Sequence, residues 1–153
     1  MTDMLKSLLG DFDPSALLPK LDSMMGKMGL ILRIAVLIGP LCLLVLGAIY
    51  FLIPPKEANH RFGYRCYHGM GSVEAWRFTQ KVAGIAWGGL GLVLTVVMLL
   101  VSGGFSGQTM DVAVWTAAKC LLWELGLLAV TCITIDILVA ATFDKKGDRR
   151  KKK

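Results

Sequence analysis

The chain has 153 residues, of which 55% are hydrophobic and 18% charged, and its mean hydropathy is +0.61. A soluble domain of this length cannot bury so much apolar surface, so the composition excludes an ordinary soluble protein and indicates the lipid bilayer as the solvent. The formal net charge is +6, with the excess concentrated in the C-terminal sequence DKKGDRRKKK. Basic residues beside apolar segments indicate contact with anionic lipids rather than with nucleic acid.

Residues 1–28 precede the first long apolar run, and we predict that they form an amphipathic interfacial segment. Asp13 and Pro14 have the form of a helix start, in which a capping acceptor precedes proline at the first helical position. Apolar residues then recur at helical spacing, at Leu17, Leu21, Met24, Met25 and Met28. This stripe suits a helix lying in the membrane interface, and it suits equally a helix that covers the outer mouth of a bundle.

Three apolar blocks follow, and each is long enough to cross a bilayer, which takes about 20 residues of helix. We predict an all-α integral membrane domain over residues 29–143, with transmembrane helices at about residues 30–53, 82–101 and 120–142. The third block starts as early as Val112. At about 1.5 Å per residue it is longer than a hydrocarbon core of about 30 Å, so we expect its first turns at the interface.

Basic residues are distributed unevenly around these spans, and their distribution predicts the topology. The loop at residues 54–81 and the tail at residues 144–153 together hold twelve Lys and Arg residues, whereas the short loop at residues 102–111 has none. Cytoplasmic loops near membrane spans collect Lys and Arg. We therefore predict a multi-pass protein of the plasma membrane with the N-terminus outside and a basic cytoplasmic tail.

The loop at residues 54–81 begins and ends with recognisable helix signals. Pro54 and Pro55 end the first helix, because proline donates no backbone hydrogen bond and restricts the residue before it. Ser72 is the predicted cap of a helix that continues into the second span. On that helix Trp76 and Arg77 share a face, and we expect the indole at the level of the lipid headgroups.

The same loop carries an ordered set of residues that membrane anchoring alone does not require. They are Asn59, Gly63, Tyr64, Arg65, Met70, Glu74 and Trp76. This order resembles the SdpI family of small bacterial membrane proteins, which carry Asn, Gly-Tyr/Ile-Arg-Thr, a turn containing Ser or Met, an acidic residue and Trp between two spans. The resemblance covers about residues 30–143, and the chain departs from the pattern at Cys66, where the family usually has Thr, and at Gly69, where Ser is common.

The resemblance implies a cell-membrane location and a motif loop on the cytoplasmic side. Because the named member of the family is an immunity protein against a membrane-active toxin and a sensor that sequesters a repressor, we expect immunity against, or sensing of, a peptide toxin. The expected partners are a peptide toxin or a membrane or regulatory protein, besides the bilayer itself. The alternative function is a non-enzymatic accessory subunit of a larger membrane complex or transporter.

Several loop residues are candidates for binding. Asn59, Arg61 and Arg65 suit a carboxylate or phosphate ligand, since a guanidinium offers a planar fork of donors. A structural role for Arg65, in which it bonds the carbonyl groups of a helix end, is equally compatible with the sequence. Cys66 is the one thiol outside the apolar blocks and is the cysteine that we expect to be open to chemistry.

Two acidic residues lie inside the third apolar block, where each costs roughly 2.5 to 3.5 kcal/mol on insertion scales and is seldom left facing lipid. We predict that Asp136 faces a three-helix junction lined by glycines of the first and second spans, with Arg61 or Arg65 as its partner. In the second span, Gly84-x-x-x-Gly88 has the small-residue spacing typical of packed membrane helices. We predict that Glu124 lies nearer the outer boundary and pairs with Arg33.

The sequence shows no constellation typical of an enzyme. His60 and His68 share the loop without thiols or carboxylates at metal-ligand spacing, and no serine or cysteine has a nearby base in a recognisable motif. We therefore expect a protein that is not an enzyme, with no catalytic residue, no metal site and no cofactor.

Overall fold

The computed structural model describes residues 14–54 and 63–150, with the backbone alone for residues 14–25 and 106. Within these ranges three long α-helices follow one another: α1 at Pro14–Leu52, α2 at Val73–Gly103 and α3 at Met110–Thr142. A short 3-10 turn at Gly104–Gly107 joins α2 to α3. Gly26–Leu52 of α1 and the whole of α2 and α3 are long and apolar enough to cross a membrane. The predicted all-α fold with three membrane-spanning helices is confirmed.

The helices extend beyond the predicted spans. Helix α1 begins at Pro14, as predicted, and continues without a break to Leu52, so residues 14–28 belong to the same helix as the first span. Helix α2 begins nine residues before the predicted span, because the Ser72 hydroxyl accepts a hydrogen bond from the Ala75 amide at 3.1 Å and caps it. The predicted cap is thereby confirmed. Residue 13, the predicted cap of α1, lies outside the described residues, and the interfacial location of residues 1–28 stays a prediction.

Glycines bring α1 and α2 into backbone contact. A Cβ atom added at Gly47 would overlap the backbone of Gly88, and one added at Gly84 would lie 2.7 Å from the amide nitrogen of Phe51. Side chains at these positions would hold the two helices apart, so small residues are required here. The packing predicted for the Gly84-x-x-x-Gly88 pattern is confirmed.

Helix α3 packs against the α1–α2 pair through side chains that form two buried clusters. One cluster consists of Val36, Leu43, Leu94, Met98, Phe105 and Ala117. The other consists of Tyr50, Ala75, Ala83, Ile135, Val139 and Phe143. The second cluster lies at the end of the bundle where residues 53–72 join α1 to α2. Tyr64 and Cys66 of this loop pack against it, so the candidate site lies directly on this cluster.

Candidate functional site at the motif loop

A buried glutamine holds the motif loop to α2. The Tyr64 amide donates to Oε1 of Gln80 at 2.8 Å, and Nε2 of Gln80 donates to the Tyr64 carbonyl at 2.8 Å. Gln80 is fully buried, so these two bonds satisfy an amide that has no access to water. Sequence reasoning missed its role. The signal that would find it is a polar amide placed at the start of an apolar run, one turn after Trp76.

Gly63 allows the loop to cover Trp76. Its φ of +119° is unfavourable for residues with a Cβ atom, and a Cβ here would lie 2.7 Å from Cη2 of Trp76. The indole is fully buried, because the loop folds over the first turns of α2, so Trp76 faces the protein and not lipid. Its predicted depth at the level of the headgroups stays a prediction. Arg77, its neighbour in sequence, remains exposed.

Tyr64 connects the loop to α3. Its hydroxyl donates to Oδ1 of Asp136 at 2.9 Å and lies 3.1 Å from the carbonyl oxygen of Cys132, so one proton is shared between two acceptors. Burial of the ring and the hydrogen bond to Asp136 raise the pKa of the Tyr64 phenol. The hydroxyl therefore stays protonated at neutral pH and acts as a donor.

Asp136 lies at the margin of the bundle rather than in its centre. Its side chain is exposed, while Ile135 and Val139 on the neighbouring face fill the three-helix junction. The predicted inward orientation is therefore corrected: the apolar neighbours occupy the interior, and Asp136 turns to the loop, where Tyr64 donates to it. Arg61 lies outside the described residues, and a contact of Asp136 with Arg65 stays a prediction.

The ring of Tyr64 also contacts the other two helices through an aromatic cluster. Its centroid is 5.4 Å from the ring of Trp87 in α2, in an edge-to-face arrangement. Trp87 in turn lies 5.6 Å from the ring of Tyr50 in α1. Such pairs add about 0.5–1.5 kcal/mol beyond their buried area. Tyr64 is therefore linked to all three spans, to α1 through Trp87, to α2 directly and to α3 by its hydroxyl.

The two departures from the family pattern are neighbours in space. A Cβ atom at Gly69 would overlap Oγ1 of Thr79 and lie 2.7 Å from Sγ of Cys66. The Cys66 sulfur lies 3.9 Å from Oγ1 of Thr79 and fills the space that Gly69 leaves. The thiol is half-buried, and burial raises its pKa. Cys66 therefore packs between Gly69 and Thr79, and its openness to chemistry stays a prediction.

The first residues of the basic tail fold back onto the motif loop. Gly147, with a φ of +81°, accepts a hydrogen bond from the Ser72 hydroxyl at 2.7 Å through its carbonyl. The carboxylate of Asp144 accepts from the amides of Lys146 and Asp148, each at 2.9 Å, and the amide of Asp148 in particular lowers the pKa of Asp144. The tail predicted at residues 144–153 thus begins as an ordered turn, which is bound to the motif loop at Ser72.

The outer surface of the site is basic and partly apolar. The exposed side chains are those of Arg65, Tyr67, Met70, Val73, Glu74, Arg77 and Lys81. Glu74 forms an ion pair with Arg149 of the tail turn at 3.7 Å, and both side chains are about two-thirds exposed. Of the predicted binding residues, the structure packs Gly63 and Tyr64 of the loop against α2, in which Trp76 is buried. The side chains of Arg65, Met70 and Glu74 are exposed, and Asn59 and Arg61 lie outside the described residues.

Glu124 is far from this loop. It is buried against Gly39 of α1, where a Cβ atom would lie 2.9 Å from its Oε2. Helix α3 begins at Met110, fourteen residues before Glu124, and the predicted position of Glu124 nearer the outer boundary stays a prediction. The predicted pairing with Arg33 stays a prediction. Within the described residues, no group of three or more His, Cys, Asp or Glu is placed to hold a metal ion.

Three spans with a polar loop docked on their ends define a small multi-pass membrane protein. The model of the SdpI/YfhL protein family matches residues 56–141, which is more than half of the chain. The chain therefore belongs to the SdpI/YfhL family. The match covers the motif loop and the second and third spans, whereas the resemblance noted in the sequence extended over the first span as well. Comparison with curated proteins and with solved structures finds no match.

Proposed function

We propose that this chain senses a membrane-active peptide and protects the cell against it, and that the motif loop is the responding element. The observation that supports the proposal is the position of Tyr64, which contacts α2 through Trp87 and α3 through Asp136. A peptide that enters the bilayer and displaces α3 from the α1–α2 pair acts directly on these contacts. Family membership supports the same role.

The displacement changes the outer surface of the loop, where a partner protein can bind. Displacement of Tyr64 moves Arg65 and the exposed residues Tyr67 and Met70, because the backbone of Tyr64 is fixed only by Gln80 among its described hydrogen bonds. A surface with an arginine, an aromatic ring and a methionine suits a protein partner, since these residue types are enriched at interfaces. A regulatory or membrane protein that binds this surface would register the state of the helices.

This proposal includes the topology with the loop and tail in the cytoplasm and the N-terminus outside. The basic residues beyond Gly147 then lie beside the inner leaflet, where each is worth about 1 kcal/mol of attraction to anionic lipid. A reporter that is active only in the cytosol, fused after Lys153, is expected to be active. A stable fusion without activity contradicts the topology and removes the cytoplasmic partner from the proposal.

The role is tested by deleting the gene and challenging the cells with the host's own secreted antimicrobial peptides. Deletion should increase sensitivity, wild-type chain should restore resistance, and Tyr64→Phe should restore it only in part. Tyr67→Phe is the matched control, because it keeps the aromatic ring that the proposed partner surface uses and Tyr67 lies outside the contacts of Tyr64 with the helices. Unchanged sensitivity after deletion contradicts immunity. Stable co-purification with larger membrane subunits would favour the accessory-subunit alternative.

A further inference from the structure

A buried carboxylate lies between α1 and α3, away from the motif loop. Glu124 is 8% exposed, and its Oε1 has no hydrogen-bond partner among the described residues. It faces Gly39 of α1, which lies inside the apolar run at residues 30–53.

The carboxylate forms part of the wall of a crevice between α1 and α3. The crevice has a volume of about 220 Å³ and is lined by Gly39, Leu43, Leu121, Glu124, Leu125 and Leu128. Leu121 and Leu125 are exposed on the outer side of α3, so the crevice opens sideways toward the lipid. It therefore offers one unpaired carboxylate oxygen in an apolar pocket that a molecule dissolved in the bilayer can reach.

The chemistry of this crevice restricts what it binds. An isolated carboxylate in an apolar site is strongly unfavourable unless it carries a proton or pairs with a cation. A divalent metal ion does not fit, because calcium and magnesium need about six or more oxygen ligands and the lining supplies one carboxylate among leucines and a glycine. A neutral apolar molecule leaves the carboxylate unpaired, and an anion is repelled by it.

We propose that this crevice is a second binding site, which takes an amphipathic cation from the bilayer: a primary ammonium or guanidinium group on an apolar chain. The cation pairs with Oε1 of Glu124, and the chain packs against Leu43, Leu121 and Leu125. Gly39 leaves the space that the carboxylate occupies, and a side chain there would displace Oε2 of Glu124. The site does not depend on the role proposed for the motif loop.

Arg33 is the internal group that competes with such a ligand. It lies on α1, six residues before Gly39, which is about 9 Å along the helix axis. If Arg33 permanently neutralises Glu124, the crevice has no need of an external cation. The experiment must therefore separate a bound ligand from an internal ion pair.

The test is native mass spectrometry of the full chain in detergent micelles, titrated with dodecylamine as the cation and 1-dodecanol as its neutral control. Wild type should bind one dodecylamine, and Glu124→Gln should bind it at least about tenfold more weakly, since a charged partner is lost. Gly39→Ala should also weaken binding while keeping the charge. Asp111→Asn removes the same charge from an exposed position on α3 and should bind as wild type does.

Three results would overturn the proposal. Equal dodecylamine affinity in wild type and Glu124→Gln shows that the carboxylate does not bind the cation. An equal loss of dodecanol binding in Glu124→Gln shows that the crevice recognises chain length rather than charge. If Arg33→Gln binds dodecylamine and wild type does not, Glu124 forms an internal ion pair with Arg33. Retained helicity and a monodisperse elution profile in each variant exclude misfolding as the cause.

Discussion

The α1–α2 interface and the attachment of α3 are built in different ways. Helices α1 and α2 touch through glycines, with Gly47 against Gly88 and Gly84 against Phe51, so the two backbones fix their separation. Helix α3 is held by apolar side chains, by the Tyr64 hydroxyl on Asp136 and by the tail turn that begins at Asp144. Close backbone contact leaves α1 and α2 few alternative arrangements. The polar contacts of α3 lie at one end of the bundle, so α3 can hinge about that end. Helices α1 and α2 therefore form a fixed pair, and a change in the position of α3 would change the contacts that hold the loop.

The largest effect is expected when α1 and α2 are forced apart. Gly47→Leu places a side chain where the backbone of Gly88 lies, and we expect destabilisation of at least about 3 kcal/mol, the upper end of the range for overpacking. The measurement is the midpoint of unfolding in mixed SDS micelles. Gly89→Leu is the control, because a Cβ atom at Gly89 meets no atom within 4 Å. Similar midpoints for the two variants contradict the backbone contact.

The attachment of α3 is tested by removing one oxygen atom. Tyr64→Phe keeps the ring on Trp87 but removes the donor to Asp136 and leaves that carboxylate without its described hydrogen bond. We expect a loss of about 2 kcal/mol, within the range for hydrogen bonds to charged groups. The same unfolding assay measures it, with Tyr67→Phe as the matched control. A loss in Tyr67→Phe as large as in Tyr64→Phe would show that the assay reports loop polarity in general.

The family commonly has serine where this chain has Gly69, and placing serine there should destabilise the packing beneath the loop. Gly69→Ser inserts a side chain against Thr79 and Cys66, and we expect a loss of about 1 to 2 kcal/mol. Adding Thr79→Ala removes the atom that the new Cβ overlaps. The double variant should therefore be more stable than the sum of the two single changes predicts. Strict additivity in the unfolding assay contradicts the contact.

The smallest effect is expected at the tail. Glu74→Gln removes the ion pair with Arg149, and because both side chains are largely exposed the loss should stay below about 1 kcal/mol and vanish at high salt. Ser72→Ala in a parallel sample should cost more, since it removes both the cap of α2 and the bond to Gly147. If Glu74→Gln is the more damaging variant, the tail turn is held by charge rather than by Ser72.

The sequence was sufficient to predict the elements that depend on local pattern. Hydropathy located the three spans, and the Ser72 signal located the start of α2. The close packing at Gly84 and Gly88 followed from the spacing of small residues. These features are encoded within a few residues of each other, so one sequence is enough to find them.

The features that the sequence did not predict depend on contacts between distant positions. The bonds of Gln80 to Tyr64 span sixteen residues, and that of Ser72 to Gly147 spans seventy-five. The burial of Trp76 beneath the loop was not predicted, because nothing in the pattern of α2 shows that the loop covers it. The contact of Glu124 with Gly39 was not predicted either, because hydropathy marks the apolar parts of α1 and α3 and not which of their faces meet.

We conclude that Tyr64 holds α3 to a fixed α1–α2 pair. Distances between spin labels measure the position of α3 relative to that pair. The native cysteines are replaced by serine, and labels are attached at exposed positions, Ile85 with Ile137 across α2 and α3, and Ile49 with Ile85 across α1 and α2. In bilayer nanodiscs, Tyr64→Phe should broaden the distance distribution between positions 85 and 137 and leave that between positions 49 and 85 unchanged. Two unchanged distributions, or equal broadening of both, would contradict the account.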